Sequence, residues 1–273
     1  HSEAILKRFS DIKLIGIDRD PEAIAYCKER FESFEDRFEA MEGRFSQLLA
    51  TLLEREMDIC GILADFGVSS LQLDKKERGF SFESDNLDMR MDSKAKLTAY
   101  EVVNSYPQEE LERIFREYGE QKAYKRAAKA VVEARNIKPI ESGKELSEIF
   151  GRVLRKRGRT NPATTLFQAI RIEVNDELGE IERLLDALES RPPKGAVVGL
   201  ITFHSLEDRL VKRRFKEWSR SCVCPPEAFR CQCGGDHALG NMSVKKPLTA
   251  AEEEIAANPR SRSAKLRCFR FKD

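Results

Sequence analysis

Two short apolar runs, each closing on an aspartate, constrain this chain more than any other feature. The first is Lys13-Leu14-Ile15-Gly16-Ile17-Asp18, and the second is Asp58-Ile59-Cys60-Gly61-Ile62-Leu63-Ala64-Asp65. Runs so uniformly apolar read as strands buried on both faces, the kind found in parallel sheets covered by helices. Around the first run the order is helix, strand, helix. Glu3 to Phe9 has helical spacing, Asp18-Arg19-Asp20-Pro21 breaks the strand, and Pro21 suits the first turn of a helix over Glu22 to Phe31. This is half of a doubly wound nucleotide-binding unit, in which the acid at the strand end holds ribose hydroxyls. The glycine-rich turn of such a unit lies roughly 20 residues upstream. Counting back that far from Asp18 passes His1, so the first strand and its glycine-rich loop are expected to be missing from this chain. On spacing alone, a helix cap is an equally good reading of Asp18.

Ligands of open α/β sheets sit outside the carboxyl ends of the strands. Asp18 and Asp65 both fall at such ends, so two carboxylates are expected beside one crevice. Phe45, between the two runs, is placed where a planar apolar side chain can cover an adenine, although an ordinary core Phe is the plainer reading.

From Asp92 to Pro192 the strand signals give way to helical ones. Pro107 opens a helix with Glu109 and Glu110 in its first turn, favourable against the helix dipole. Ala123 to Arg135, Leu146 to Leu154 and Val174 to Leu188 are further amphipathic stretches. After Pro192-Pro193-Lys194-Gly195, the run Ala196 to Phe203 restores the strand pattern. The expected organisation is a discontinuous α/β domain, residues 1–92 and 194–273, with a helical domain inserted at 93–193. The longest apolar run, 196–203, is far below the roughly 20 residues of a membrane helix. No basic-then-apolar leader opens the sequence, so a cytoplasmic protein without membrane partners is expected.

The formal net charge of +1 conceals a split. Residues 1–120 hold 17 Lys/Arg against 27 Asp/Glu, a net of −10, and residues 121–273 hold 31 against 20, a net of +11. The basic residues cluster at Arg152, Arg155, Lys156, Arg157 and Arg159, at Arg209, Lys212, Arg213, Arg214, Lys216 and Arg220, and at Arg260, Arg262, Lys265, Arg267, Arg270 and Lys272. Solvated helix faces explain any single cluster, but three in one half are expected to form a nucleic-acid surface. Within the second cluster, Ser205 with Asp208 resembles a capping box for a basic helix over Leu206 to Trp218. His204 is read as a cap or core histidine rather than a catalytic base.

Together the motifs resemble the MraW (RsmH) family of S-adenosylmethionine-dependent methyltransferases. The strings are Ile17-Asp18-Arg19-Asp20-Pro21, Ala64 to Ser70 with Gln72-Leu73-Asp74, Arg78-Gly79-Phe80-Ser81-Phe82 and Leu87-Asp88-Met89-Arg90-Met91-Asp92. Phe167 to Asn175, Phe203 to Arg209 and Asn258 to Ser263 complete the series, in order along the chain. The resemblance implies a Rossmann-like methyltransferase sheet with an inserted α-helical domain for substrate recognition. It implies N4-methylation of a cytosine in the decoding centre of bacterial small-subunit (16S) rRNA, with the small ribosomal subunit as partner. The cofactor contacts it implies are His1, Asp18, Phe45, Asp65 and Gln72. His1 matches the end of the family's Gly-Gly-Gly-His-Ser loop, in agreement with the count back from Asp18. Departures from the family pattern are Phe66 for Leu, Leu71 for Pro, and Thr165-Leu166 for an Arg-Thr pair.

The exocyclic amine of cytosine is a weak nucleophile, because its lone pair is delocalised into the ring. Hydrogen bonding to that amine and alignment with the methyl sulfonium lower the barrier. Asp65 is the candidate catalytic residue, orienting the amine or the cofactor, and Phe66 is placed to stack on an extruded base. Arg209, Lys212, Arg213 and Arg214 are the candidate RNA contacts. A non-catalytic RNA-binding or ribosome-assembly factor is the alternative from another class, and a nicotinamide dehydrogenase would explain Asp18 alone. Whether the chain forms a homodimer stays open.

Cys27 and Cys60 fall in helix and strand patterns and are expected to be buried and inert. Cys222, Cys224, Cys231 and Cys233 form two Cys-x-Cys pairs, with His237 nearby. In a cytosolic protein this points to zinc more than to disulfides. The one-residue gaps are tighter than the usual two to four, so zinc and a metal-free cluster both stand, and no catalytic metal is expected.

Overall fold

The computed structural model describes residues 1–34, 36–55, 57–154, 161, 163–225 and 227–273. In chain order it holds α1 (Ser2–Arg8), β1 (Leu14–Asp18), α2 (Pro21–Arg30), β2 (Phe38–Glu42), α3 (Phe45–Glu54), β3 (Gly61–Asp65) and α4 (Ser70–Asp74). A run of helices follows: α5 (Ala99–Ser105), α6 (Gln108–Glu117), α7 (Tyr124–Ile137), α8 (Gly143–Val153), α9 (Thr164–Asn175) and α10 (Glu177–Ser190). Then come β4 (Val197–Thr202), α11 (Ser205–Trp218), β5 (Gly240–Met242), β6 (Leu248–Thr249), α12 (Glu252–Ala257) and β7 (Lys265–Phe271). This is a mixed α/β protein with parallel strand pairs and many helices. Among the described residues no helix is long and apolar enough to cross a membrane. Two compact units divide the chain, His1–Glu42 with Val68–Glu177 and Gly43–Gly67 with Leu178–Asp273.

In the first unit β1 and β2 pair in parallel, from Leu14 opposite Phe38 to Asp18 opposite Glu42, and α2 makes the return between them. The first residue of α2 is Pro21, and Asp20 caps it by accepting from the Glu22 N–H at 3.1 Å. β1 was expected to be buried on both faces but is only half-buried. A two-stranded sheet offers helices too narrow a surface to cover both sides. Most of this unit's core lies among α5 to α9. Phe115 and Phe167 each meet Phe150 edge-on, with ring centroids 5.6 and 6.2 Å apart. Burying each such ring stabilises the fold by about 1.5–3 kcal/mol. Phe80, Leu87, Met89 and Met91 pack on the same core, which ties the segment after α4 to the helices.

Val174 to Leu188, expected as one amphipathic stretch, is broken at Asp176, whose φ of 50° is left-handed. α9 therefore ends at Asn175 and α10 starts afresh at Glu177.

The second unit holds a sheet in the order β3-β4-β7-β5, with β6 also pairing with β7. β3 and β4 are parallel, while β7 runs antiparallel to β4. Phe215, Trp218, Phe269 and Phe271 stack at centroid distances of 5.1 to 5.5 Å and form the centre of this core. β3 alternates between exposed and half-buried residues instead of being buried throughout, and Leu63 is 43% exposed. Among the described residues β3 has a strand partner along one edge only, so half its surface stays open. Cys60, one residue before β3, is exposed for the same reason, and Cys27 is half-buried.

Candidate active site

The carboxyl end of β1 is organised around Asp20. Its N–H donates to Asp18 Oδ1 at 2.8 Å, and its own buried carboxylate accepts from Gln72 Nε2 at 2.7 Å and pairs with Arg78 at 3.0 Å. Gln72 reaches Asp20 because it sits in the capping box of α4, where its Oε1 accepts from the Ser69 N–H and Ser69 Oγ accepts from the Gln72 N–H. The effect is to fix the turn that carries Asp18. Asp18 is exposed at the strand end, and the protein around it raises its pKa against the pull of the Asp20 N–H. His1 is the exposed N-cap residue of α1 and makes no side-chain cap bond there.

A second polar assembly in the same unit holds residues 88–92. Asn175 Oδ1 accepts from the Met91 N–H at 2.8 Å, and its Nδ2 donates to the carbonyls of Met89 at 2.7 Å and Arg171 at 3.0 Å. Arg78 donates to the carbonyls of Arg90 and Met91 at 3.1 and 3.0 Å. Arg19, beside Asp18, donates to the Asn175 carbonyl at 2.9 Å. These bonds hold Met89 at a left-handed φ of 58°, uncommon for an unbranched residue without a glycine's freedom. Gly79 is required in the loop facing it. At its φ of +76° a Cβ would lie 2.4 Å from the Asp88 N.

In the second unit Glu180 of α10 plays the anchoring part. Its buried carboxylate accepts from the Ser46 N–H at 3.0 Å and from Arg183 at 2.9 Å, and pairs with Arg44 at 3.4 Å. It thereby serves an orphan donor at the start of α3, a helix without a side-chain cap of its own. Burial pushes the Glu180 pKa up, but the Ser46 N–H and Arg183 outweigh it, and the net shift is downward. This fixes Phe45, whose ring lies 5.9 Å from that of Phe66. Phe66 was expected to be available for stacking on a base. It is instead buried in the core against α10 and β4, and its N–H extends the ladder to the Ile201 carbonyl. Asp65 stands at the carboxyl end of β3 with its pKa raised to about 6, chiefly by desolvation and further by the negative charge of Glu207.

The box expected of Ser205 and Asp208 forms one residue earlier. His204 caps α11 by accepting from the Glu207 N–H, and the buried Glu207 accepts from the Phe203 and His204 N–H groups at 2.8 and 3.2 Å. Its Nε2 lies 3.1 Å from Glu207 Oε1. His204 is thus a cap. Asp208 instead makes a part-buried bidentate pair with Arg267 of β7 at 2.8 and 3.1 Å. Phe203, His204 and Ser205 also line an open pocket of ≈ 250 Å³ with Arg262, Ser263 and Lys265, so two of the recurrent motifs meet there.

The basic clusters divide by geometry. Arg214 is held by Asp186 and Glu189, both at 2.7 Å, with its side chain 18% exposed. Arg213 is 72% exposed and 3.7 Å from Glu217, and Arg209 is exposed as well. Lys212 lies on the same helix, near enough to Asp208 to help lower that carboxyl's pKa. Arg267 was expected on a nucleic-acid surface but is buried against Asp208, because β7 is an interior strand of the sheet. Arg155, Lys156, Arg157 and Arg159 lie outside the described residues.

A family model described as the MraW methylase family matches residues 1–272. The chain belongs to the MraW methylase family. "Ribosomal RNA small subunit methyltransferase H" of a Sulfurovum species is 61% identical over 272 residues, covering 100% of this chain and 88% of the relative. The proteins of the same name from a Nitratiruptor species and from Wolinella succinogenes are each 58% identical, with 100% of this chain covered and 89% and 88% of theirs.

In this MraW methylase the residues that sequence reasoning missed are the anchors. Asp20, Arg78, Asn175 and Glu180 are buried or half-buried polar groups with partners far along the chain. A clue was present for three of them, since Asp20, Arg78 and Asn175 fall inside the recurrent strings. Glu180 gave none, because it sits among other acids on an amphipathic helix.

Proposed function

We propose that this MraW methylase transfers the methyl group of S-adenosylmethionine to the exocyclic N4 of a cytosine in the decoding centre of bacterial small-subunit rRNA. The observation that carries the reading is the match along the whole chain to relatives named as small-subunit rRNA methyltransferases. Residues 1–92 and 194–273 would form the methyltransferase domain, and the helices within 93–193 the substrate-recognition insert.

The cofactor is assigned to His1, Asp18 and Gln72 of the first unit and to Phe45 and Asp65 of the second. Asp18, exposed at the end of β1 and oriented by the Asp20 N–H, would accept ribose hydroxyls. Gln72 acts through Asp20, holding the turn that presents Asp18. Phe45, fixed by Glu180 through the start of α3, is an apolar plane for the adenine. Once bound, S-adenosylmethionine supplies an electrophilic methyl on a sulfonium sulfur. Asp65, with a pKa of about 6, is ionised at neutral pH yet basic enough to accept a hydrogen bond from N4 and take its proton as the methyl arrives. Arg209, Lys212 and Arg213 on α11 grip RNA phosphates, with Arg214 bracing that helix against Asp186 and Glu189.

The test is transfer of labelled methyl from S-adenosylmethionine to isolated small subunits and to naked small-subunit rRNA, followed by nucleoside mass spectrometry. The expected product is N4-methylcytidine at one decoding-centre position. Label on another atom would overturn the N4 assignment. RNA binding with no incorporation would favour the assembly-factor reading.

A further inference from the structure

Between α11 and β5, residues 219–239 form a connection longer than the roughly 12–15 residues beyond which structureless loops become uncommon. Its apolar side chains do not hold it. Phe229 is 105% exposed and Val223 is 56% exposed. The ends are tied by the His237 N–H to the Ser221 carbonyl at 3.0 Å and the Leu239 N–H to the Trp218 carbonyl at 2.8 Å. Between these ties four thiols converge.

Cys222 Sγ lies 3.7 Å from Cys231 Sγ and 3.7 Å from Cys233 Sγ, and the last two are 3.6 Å apart. Cys224 completes the group, with all four sulfurs within 4.8 Å of one another. A disulfide needs about 2.05 Å, so no pair here is bonded. Four sulfurs at about 2.3 Å from a tetrahedral zinc are separated by about 3.8 Å, close to the triangle of distances found here.

We propose that Cys222, Cys224, Cys231 and Cys233 bind one structural zinc ion as a tetrathiolate. The tight Cys-x-Cys spacing fits, because side chains two residues apart on an extended backbone share a face and each pair supplies two adjacent corners. The backbone supports the sulfurs crosswise. The Val223 N–H, inside the first pair, donates to Cys233 Sγ at 3.4 Å, and the Gln232 N–H, inside the second, donates to Cys224 Sγ at 3.1 Å. Such bonds orient ligands and offset thiolate charge. Gly234 and Gly235, at φ of 81° and 74°, turn the chain away directly after the last ligand. His237 is an outer support, not a ligand, since its Nε2 lies 2.7 Å from the Cys233 carbonyl. On binding, the four thiols release their protons to solvent and four Zn–S bonds close the loop. The metal takes the place of the core that the loop lacks.

The experiment is metal analysis of the whole chain purified after growth with zinc, together with replacement of the metal by cobalt(II). The expected results are one zinc per chain surviving gel filtration and, for the cobalt form, the intense visible bands of tetrahedral thiolate coordination. In Cys224→Ser/Cys231→Ser, zinc content should drop at least about tenfold, and tryptic cleavage after Arg230 should accelerate by a similar factor. A circular dichroism spectrum like that of the parent would show that the rest of the chain still folds. Metal-free protein with four freely reactive thiols, a disulfide detected by mass, stoichiometric iron in place of zinc, or full zinc retention in the double variant would each overturn the proposal.

Discussion

Asn175→Ala removes the side chain that joins the end of α9 to residues 88–92. Asn175 is 4% exposed, and its three hydrogen bonds go to backbone groups of Met91, Met89 and Arg171. Met89 and Met91 are themselves buried, so truncation leaves their N–H and carbonyl groups without water as well as without a partner. Each orphaned buried group costs about 1–3 kcal/mol. The Arg171 carbonyl lies near a helix end and loses less, and alanine's better helix propensity returns about 0.7 kcal/mol at most. The net destabilisation is therefore about 3 kcal/mol, well above the average for a point substitution. Urea unfolding followed by circular dichroism measures it, and amide exchange at Met91 localises it, with protection expected to fall by roughly two powers of ten. Asn175→Asp keeps the acceptor for Met91 but sets a carboxylate against two carbonyls, so it should be no better tolerated. A loss below about 1 kcal/mol, or unchanged exchange at Met91, would refute the reasoning, because the bonds would then be replaceable by water.

Asp65→Asn should lower the methyl-transfer rate at least about 100-fold, while the parent's rate should rise with pH through about 6 as the carboxyl ionises. The same substitution should raise stability at pH 7. A carboxyl with a raised folded pKa favours the fold at low pH and loses that contribution as pH climbs from 3.8 through about 6. Unchanged turnover would remove Asp65 from the chemistry. Arg267→Ala strands the half-buried Asp208 and should cost about 3 kcal/mol in chemical unfolding. Burial pushes Asp208 up, but Arg267 outweighs it and lowers its pKa, so the parent keeps this stabilisation above pH 3.8 and loses it on further acidification. The variant's stability should be flatter across that range. Lys212→Ala and Arg213→Ala should each weaken RNA binding and reduce the salt slope by about 0.7–0.9, as measured by fluorescence anisotropy at several salt concentrations. Arg214→Ala should instead act mainly on stability, since its charge is spent on Asp186 and Glu189.

Strand ends and turns were legible because they are local. The two runs ending in Asp18 and Asp65 form strands with those residues at their carboxyl ends, and Pro21 opens α2 as its fixed φ dictates. Burial was not legible in the same way. An apolar run specifies that a strand can be covered, but the neighbours along its edges decide whether it is, and so Leu63 and Cys60 lie open. The break at Asp176 was hidden too. The helical periodicity runs on through it, and the Asn175 bonds that reward ending α9 there come from Met89 and Met91, more than 80 residues away.

By itself the sequence determined the α/β alternation, the helical stretch between the strands, the charge split and the strings that the MraW methylase family shares. All of these depend on residue type and on spacing within one or two turns of chain. Only the tertiary structure decided which charges are spent and which remain. Arg267 and Arg214 read as surface cations but are held by Asp208, Asp186 and Glu189. Phe66 reads as a reactive-site neighbour and is core. The four cysteines change from an ambiguous spacing to sulfurs that all lie within 4.8 Å of one another. The physical reason is common to all of them. A side chain's charge, burial or ligand role depends on what lies within a few ångströms of it, and for these residues folding brings those neighbours from elsewhere in the chain.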